Sequence, residues 1–234
     1  LCSKLKSRFG VDAELDTPRV AYREKIRSTV RKQGRYKKQT GGSGQFGDVH
    51  IIFEPQTEQE DMIFEENVFG GSVPKNYFPA VEKGLRESCL HGVLAGYPVV
   101  FLKATLVDGS YHPVDSSEIA FKLAANLAFK AALPEAKPVL MEPIMKVTVI
   151  TPEEYMGDVI GGLNSRRGRI EGMETENGES RIKGFVPLSE MFGYATGLRS
   201  STQGRGTFTM TFDHYEEVPK AISQQITEER LGNK

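Results

Sequence analysis

Asp108-Gly-Ser-Tyr-His-Pro-Val-Asp-Ser-Ser-Glu118 stands between two stretches of opposite periodicity, and the change from one to the other sets the fold class. Before it, Pro98-Val-Val-Phe-Leu-Lys-Ala-Thr-Leu-Val107 is dense in β-branched and apolar residues and lies between Gly96 and Gly109, which predicts a buried strand. After it, Ile119, Leu123, Leu127 and Ala131 recur at intervals of four, which predicts a helix. Asp115 and Glu118 have the spacing of a capping box at its start. The polar segment is therefore a β-loop-α turn with His112 at its tip, and loops held on such scaffolds are where function concentrates. A merely solvated histidine fits the same pattern.

A second loop has its own composition. Gln39-Thr-Gly-Gly-Ser-Gly-Gln-Phe-Gly47 carries four glycines and runs into the strand-like Val49-His-Ile-Ile-Phe53. Such density lets backbone approach a partner closely and leaves N–H groups free to donate. It is not a nucleotide phosphate loop, because no Gly-Lys-Ser/Thr follows and a strand comes next rather than a helix. A flexible hairpin connection is the other arrangement this composition allows.

The segment leading into that loop is strongly basic. Arg19, Arg23, Lys25, Arg27, Arg31, Lys32, Arg35, Lys37 and Lys38 face one acid, Glu24, in a chain whose net charge is only −1. Val20, Tyr22, Glu24, Ile26, Ser28 and Val30 alternate with Ala21, Arg23, Lys25, Arg27 and Thr29, which predicts a strand over 20–32 with most of its cations outward. A basic strand ending in a glycine loop suits a phosphate backbone. Lysines that keep an edge strand from aggregating give the same pattern.

Composition sets the remaining bounds. With 234 residues, 38% of them hydrophobic, the chain can bury a core and hold one or two domains. No apolar run is long enough to span a bilayer, and Leu1-Cys-Ser-Lys-Leu-Lys-Ser-Arg-Phe9 lacks the apolar centre of a signal peptide. Cys2 and Cys89 make no disulfide framework, and His50, His91, His112 and His214 are scattered without metal-ligand spacing. A reduced, cytoplasmic protein without a metal site is expected.

The chain divides near Lys137-Pro138, where Leu133-Pro-Glu-Ala-Lys-Pro138 closes the long helix. The expected first domain, 18–137, is α+β, with strands near 20–32, 46–54 and 62–69, a helix from Lys75 to His91, then the Pro98 strand and the second helix. On the Lys75 helix, Phe78, Val81, Leu85 and Cys89 share an apolar face, with Cys89 as core filling. The expected second domain, 138–220, reads β-α-β-β-α-β with a hairpin turn at Glu176-Asn-Gly-Glu179, the ferredoxin-like order. A helical tail, 221–234, follows.

The motifs together are specific. Val20-Ala-Tyr-Arg-Glu24, the loop at 39–47, Gly109-Ser-Tyr-His112 with Asp115-Ser-Ser-Glu118, Glu142-Pro-Ile-Met145, Pro152-Glu-Glu-Tyr-Met-Gly-Asp-Val-Ile160, Phe192-Gly-Tyr-Ala-Thr196 and Thr202-Gln-Gly-Arg-Gly206 resemble, in order and spacing, the C-terminal half of bacterial elongation factor G. The resemblance covers almost the whole chain. It implies that 1–17, which looks truncated and has Leu1, Leu5 and Phe9 on one helical face, is a remnant of the third domain. It also implies a fourth domain like domain 2 of ribosomal protein S5, with a left-handed crossover, and a ferredoxin-like fifth domain.

The resemblance further implies a role in translation. The expected partners are the ribosome, with its 16S and 23S rRNA and the ribosomal proteins near the GTPase-associated centre, and the tRNA–mRNA duplex, met by a monomer. Gln39, Thr40, Gly41, Gly42, Ser43, Gly44 and Gln45 from one loop, and Ser110, Tyr111, His112, Pro113 and Asp115 from the other, would form a tip that enters the decoding site during translocation. Arg23, Lys25, Arg27, Lys37 and Lys38 would face RNA, and Arg166, Arg167 and Arg169 the large subunit, although arginines also stabilise a helix C-terminus in any protein. GTP and Mg²⁺ would belong to an upstream GTPase domain, so this chain is expected to hold no cofactor and no catalytic residue.

Ser43 stands where the family commonly has arginine, and Pro113 where aspartate is common, which leaves open a ribosome-binding paralogue without full translocase activity. A stand-alone RNA-binding or regulatory module is the other alternative. A hydrolase using His112 with Asp115 or Ser110 would need an activated nucleophile, for which no elbow motif is present. Without a phosphate-loop lysine, this chain is predicted not to bind GTP. Titration with a fluorescent GTP analogue checks this, and micromolar binding would overturn it.

Overall fold

The computed structural model describes residues 20–232, so the expected remnant at 1–17 lies outside the described residues. Packing divides the chain into two units, Tyr22–Glu142 together with the residues from Tyr215 on, and Pro143–His214. The fold is α+β, two domains with a separate core in each.

In the first unit, β2 (Val30–Thr40), β3 (Ser43–Pro55), β4 (Ile63–Glu66) and β5 (Leu102–Ser110) form a sheet in the order β2-β3-β5-β4, antiparallel except that β4 runs parallel to β5. Helices α1 (Phe78–Ser88) and α2 (Glu118–Ala132) pack on one face. Val49, Ile51 and Phe53 of β3 and Leu102, Ala104 and Leu106 of β5 point into that core, the period of two that a sheet with one covered face requires. Burying such side chains stabilises the fold by about 1.5–3 kcal/mol each. Val81 and Leu85 of α1 join them, as does Cys89, whose thiol burial pushes up to about 12 and so keeps as inert core.

The expected strand over 20–32 is two strands. The short β1 (Arg23–Lys25) pairs with Val139–Met141, and the chain then turns, the N–H groups of both Arg27 and Ser28 donating to the Ala136 carbonyl. Glu24 accounts for the break. Its carboxylate is buried and accepts N–H bonds from Leu94, Ala95 and Tyr97 at 2.8–3.1 Å, while its backbone bonds Pro98 and Val100. The expected Pro98 strand is divided as well. Residues 98–100 serve β1, and β5 begins only after Phe101, whose φ is +53°.

Helix α2 turns its alanines inward. Ala120, Ala124, Ala125, Ala128 and Ala132 are buried with Phe121 and Phe129, whereas Ile119 and Leu127 from the four-residue row are exposed, Ile119 at 64%. Close approach selects the small residues. A Cβ on Gly34 would come within 1.9 Å of the Ala124 carbonyl oxygen, and one on Gly47 within 2.5 Å of the Ala120 oxygen. The cap also differs from the expected capping box, since Ser117 accepts the Ala120 N–H and Asp115 is released for another role.

The second unit contains most of β6 (Val139–Pro152), then α3 (Met156–Ser165), β7 (Arg169–Glu176), β8 (Glu179–Pro187), α4 (Tyr194–Ser201) and most of β9 (Thr207–Glu217). Neighbour order β9-β6-β8-β7 is that of a ferredoxin-like sheet. Asn177 and Gly178 both take positive φ between β7 and β8, as a two-residue hairpin turn requires. The last helix, α5 (Lys220–Gly232), belongs to the first unit, where Arg230 donates to the Ala95 carbonyl and lies 4.1 Å from the Tyr97 ring centroid. No helix among the described residues is long and apolar enough to cross a membrane.

Replacing Gly34 by alanine is predicted to destabilise the first unit by about 3 kcal/mol, at the top of the usual overpacking range because the obstacle is helix backbone. Gly161→Ala in α3, where an added Cβ meets nothing within 4 Å, is predicted to stabilise by about 0.5 kcal/mol. Calorimetric melting of both variants checks the pair, and equal effects would contradict the packing described.

Candidate functional site

The glycine-rich segment is the end of a long hairpin rather than an open loop. Thr40 pairs with Ser43 and Gln39 with Gly44, leaving only Gly41 and Gly42, at φ +53° and +103°, as the turn. Those dihedrals match the right-handed twist of the strands they join. Alternate N–H groups are therefore spent in the ladder, and the exposed side chains of Gln39, Thr40, Ser43 and Gln45 face outward from a stiff ribbon.

The second segment, Ser110–Ser117, is bound to that ribbon at several points. The Phe46 N–H donates to the Asp115 carbonyl at 2.9 Å, and the Ser116 hydroxyl donates to the Phe46 carbonyl at 2.9 Å while accepting the His112 N–H at 2.8 Å. Gly44 has no Cβ because the Asp115 carboxylate lies where one would be. At the base, the nearly buried Asp48 accepts from the Gln33 amide at 2.7 Å and from the Ser110 hydroxyl at 2.6 Å, joining β2, β3 and β5. Next to it on β5, the Gly109 N–H holds the Asp108 carboxyl below the usual carboxylate range.

His112 is half exposed, and its orientation is fixed by its own loop. Nδ1 accepts the N–H groups of Val114 and Asp115 at 3.3 and 3.1 Å, with the Asp115 carboxylate 3.6 Å away. The neutral ring therefore carries its proton on Nε2, which is left to donate to a partner. Pro113 costs this turn nothing, because the donors come from the two residues after it, and its restricted φ suits the bend. Tyr111 and Val114 are exposed on either side.

A hydrolytic set is not assembled here. Ser110 gives its hydroxyl proton to Asp48, and His112 Nδ1 accepts backbone N–H groups instead of donating to a carboxylate.

The basic residues separate into two groups. Arg23 stacks 5.9 Å from the Tyr215 ring centroid, Lys25 lies 5.6 Å from that of Phe101, and Arg27 pairs with Glu217 at 3.4 Å, all beside β1. Arg31, Arg35, Lys37 and Lys38 lie exposed along β2 toward the hairpin end. Arg166 and Arg167 in the second unit bind their own chain: Arg166 donates to the Glu190 and Phe192 carbonyls and stacks on Tyr194, and Arg167 pairs with Glu190 at 3.1 Å. Arg169 is exposed at the start of β7.

Asp48, Gln33 and Ser116 organise the tip without being prominent in the sequence. The usable signal was the run Ser116-Ser117, of which one hydroxyl caps α2 and the other is free to bridge.

An S5-domain-2-like sheet with two crosslinked loops at one end, followed by a ferredoxin-like unit, defines the class: the C-terminal part of a translation elongation factor. The model for elongation factor G, domain IV matches residues 18–137 and that for the elongation factor G C-terminus matches 139–226, and the chain belongs to this family. A crystal structure of a protein from Thermus thermophilus is similar over 98% of this chain, with 46% identity and a TM-score of 0.90. The chain spans 35% of the length of that protein.

Ser116→Ala removes both bonds of that hydroxyl, the one to Phe46 across the loops and the one to His112 within its own segment, and leaves the Phe46 carbonyl and the His112 N–H unpaired. It is predicted to destabilise the first unit by about 1–3 kcal/mol, read by scanning calorimetry; an unchanged melting temperature would contradict the crosslink.

Proposed function

We propose that this chain is the ribosome-facing half of a translocating elongation factor, with the tip formed by the two loops entering the decoding region of the small subunit and contacting the tRNA–mRNA duplex. The observation that carries this is the crosslinking of Gln39–Gln45 to Ser110–Asp115 into one stiff end that presents polar side chains and the Nε2–H of His112. An A-form duplex offers 2′-hydroxyls and base edges in a wide, shallow minor groove, and short side chains that both donate and accept match that surface. At the tip Gln39 offers both roles and His112 offers its Nε2–H.

Arg31, Arg35, Lys37 and Lys38 supply the phosphate attraction, giving the binding its salt dependence. Arg23, Lys25 and Arg27 lie beside β1, away from the hairpin end, and contribute less there. In the second unit Arg166, Arg167 and Arg169 are offered to rRNA near the GTPase-associated centre, Arg169 exposed at the start of β7 and the other two also holding the segment at 188–194 in shape. Hydrolysis of GTP with Mg²⁺ belongs to the GTPase domain of the full-length family, and this half acts as the element that is moved. The protein works as a monomer in the cytoplasm.

In the full-length factor, His112→Ala is predicted to slow tRNA–mRNA movement about tenfold, the worth of one hydrogen bond at the upper end of its usual range, while ribosome-stimulated GTP hydrolysis stays near the parent rate. Gln39→Ala is predicted to have the same pattern more mildly. Stopped-flow measurement of both rates on the same ribosomes decides it. Unchanged movement, or a parallel collapse of GTP hydrolysis, would contradict the proposed role.

A further inference from the structure

Phe69 is 87% exposed, the most exposed large apolar side chain among the described residues. It lies in Asn67-Val-Phe-Gly-Gly-Ser72, between β4 and α1, and a connection of this kind has no reason of its own to hold an aromatic ring in water. The connection is not loose. At its start the Asn67 N–H donates to the Leu106 carbonyl of β5 at 2.8 Å. Beyond it, buried Val73 packs so closely on Gly109 that a Cβ there would meet its Cγ2 at 2.5 Å. The Tyr77 hydroxyl then donates to the Ser116 carbonyl at 3.3 Å. Because β4 and β5 are parallel, both run out at the end of the sheet that carries Ser110 and His112. This connection is thus a third segment at that end of the sheet, anchored to β5 and to the loop at 110–117.

Its chemistry differs from theirs. Gly70 and Gly71 follow at φ +66° and +69°, and a Cβ added to either would meet nothing within 4 Å, so there is open space beside the ring. Three acids stand nearby, and each is engaged: the Glu66 carboxylate accepts the Val68 N–H at 3.4 Å, Glu65 pairs with Lys103 at 3.2 Å, and the Asp108 carboxylate accepts the Gly109 N–H at 2.8 Å. Its chain neighbours are the half-buried Val68 and two glycines, so its own segment supplies no surrounding apolar patch of the kind a protein hot spot needs to exclude water. A flat ring approached from open space, at the end of the sheet assigned above to RNA, is what an unstacked base requires.

We propose that Phe69 is a stacking platform for an unpaired nucleobase of single-stranded RNA, a third contact of the tip beside the duplex contacts of Gln39 and His112. This rests on the assignment of that end to RNA, and adds to it a single-stranded target that the other two loops do not address. A paired base inside a duplex has no free face to offer, so the two kinds of contact can be separated by experiment.

The test uses the whole chain with fluorescein-labelled single-stranded oligoadenylate, and a duplex RNA of matched length for comparison. Because the ring is exposed, Phe69→Ala, Phe69→Leu and Phe69→Tyr are expected to melt with the parent. Alanine and leucine should weaken oligoadenylate binding about five- to hundredfold, tyrosine should hold it near the parent value, and none should change duplex binding. Phe69→Trp places the first tryptophan in a chain that has none, and its emission should be quenched on adding oligoadenylate. Leucine binding as well as phenylalanine would overturn the proposal in favour of an apolar protein contact, and so would an absence of oligoadenylate binding or of any effect of the variants. If Phe69→Ala is silent while Gln39→Ala and His112→Ala still weaken duplex binding, this inference fails alone. If none of the three changes any RNA binding, the assignment of the tip to RNA fails with it.

Discussion

At Gly34 and Gly47 helix α2 meets the β2–β3 hairpin backbone to backbone, and the rest of the first unit is arranged around that contact. Gly34 and Gly47 leave room for the Ala124 and Ala120 carbonyls, and the inner face of the helix is built from alanine. Larger residues would push the helix outward, and the segment just before it would go too. At the observed distance the loop at 110–117 falls within hydrogen-bonding reach of Phe46, so one serine can join hairpin and loop. Gly44 extends the same constraint to the hairpin end, where Asp115 occupies the space of the missing side chain.

The stiffness of this end bears directly on what it can do. A two-residue turn between paired strands cannot wrap a ligand as a flexible loop can, but it can keep a shape under load. His112 adds a donor of fixed direction, since its own backbone occupies one ring nitrogen. At the far side of the unit, the buried Glu24 carboxylate gathers the loop at 92–97 through three N–H bonds, and Arg230 holds the same loop from α5. Removing that carboxylate would leave three donors unsatisfied, at a cost of about 1–3 kcal/mol each.

Much of this was legible in the chain because it is local. Alternation in β6 and β8, the Asn-Gly turn between β7 and β8 and the apolar face of α1 are set by neighbouring residues, and they fell where the pattern placed them. The two tip segments were also visible, since glycine density and a polar run between strand and helix are local signals. What was hidden depended on partners far along the chain. Alternation from Val20 to Val30 gave no sign of the turn at Arg27 and Ser28, because that turn is fixed by Ala136 and by the cradle around Glu24. The row of Ile119, Leu123, Leu127 and Ala131 marked a helix but not its buried face, for the same reason: only the opposing glycines of β2 and β3 make alanine the better fit. Arg166 and Arg167 could be counted in the sequence, but not their commitment to the segment around Glu190.

If hairpin and loop are one body, their shared hydrogen bonds must open together with the core and not by local fraying. Amide hydrogen exchange on the intact chain measures this at the Phe46 N–H, bonded across to Asp115, and at the Ser116 N–H, bonded to His112 within the loop that Phe46 holds. The structure predicts that both exchange with opening free energies close to those of Val49 and Ile51 in the core of β3. Exchange of the Phe46 amide at the rate of an unprotected peptide, with Val49 still protected, would show two independent loops and contradict the single rigid tip.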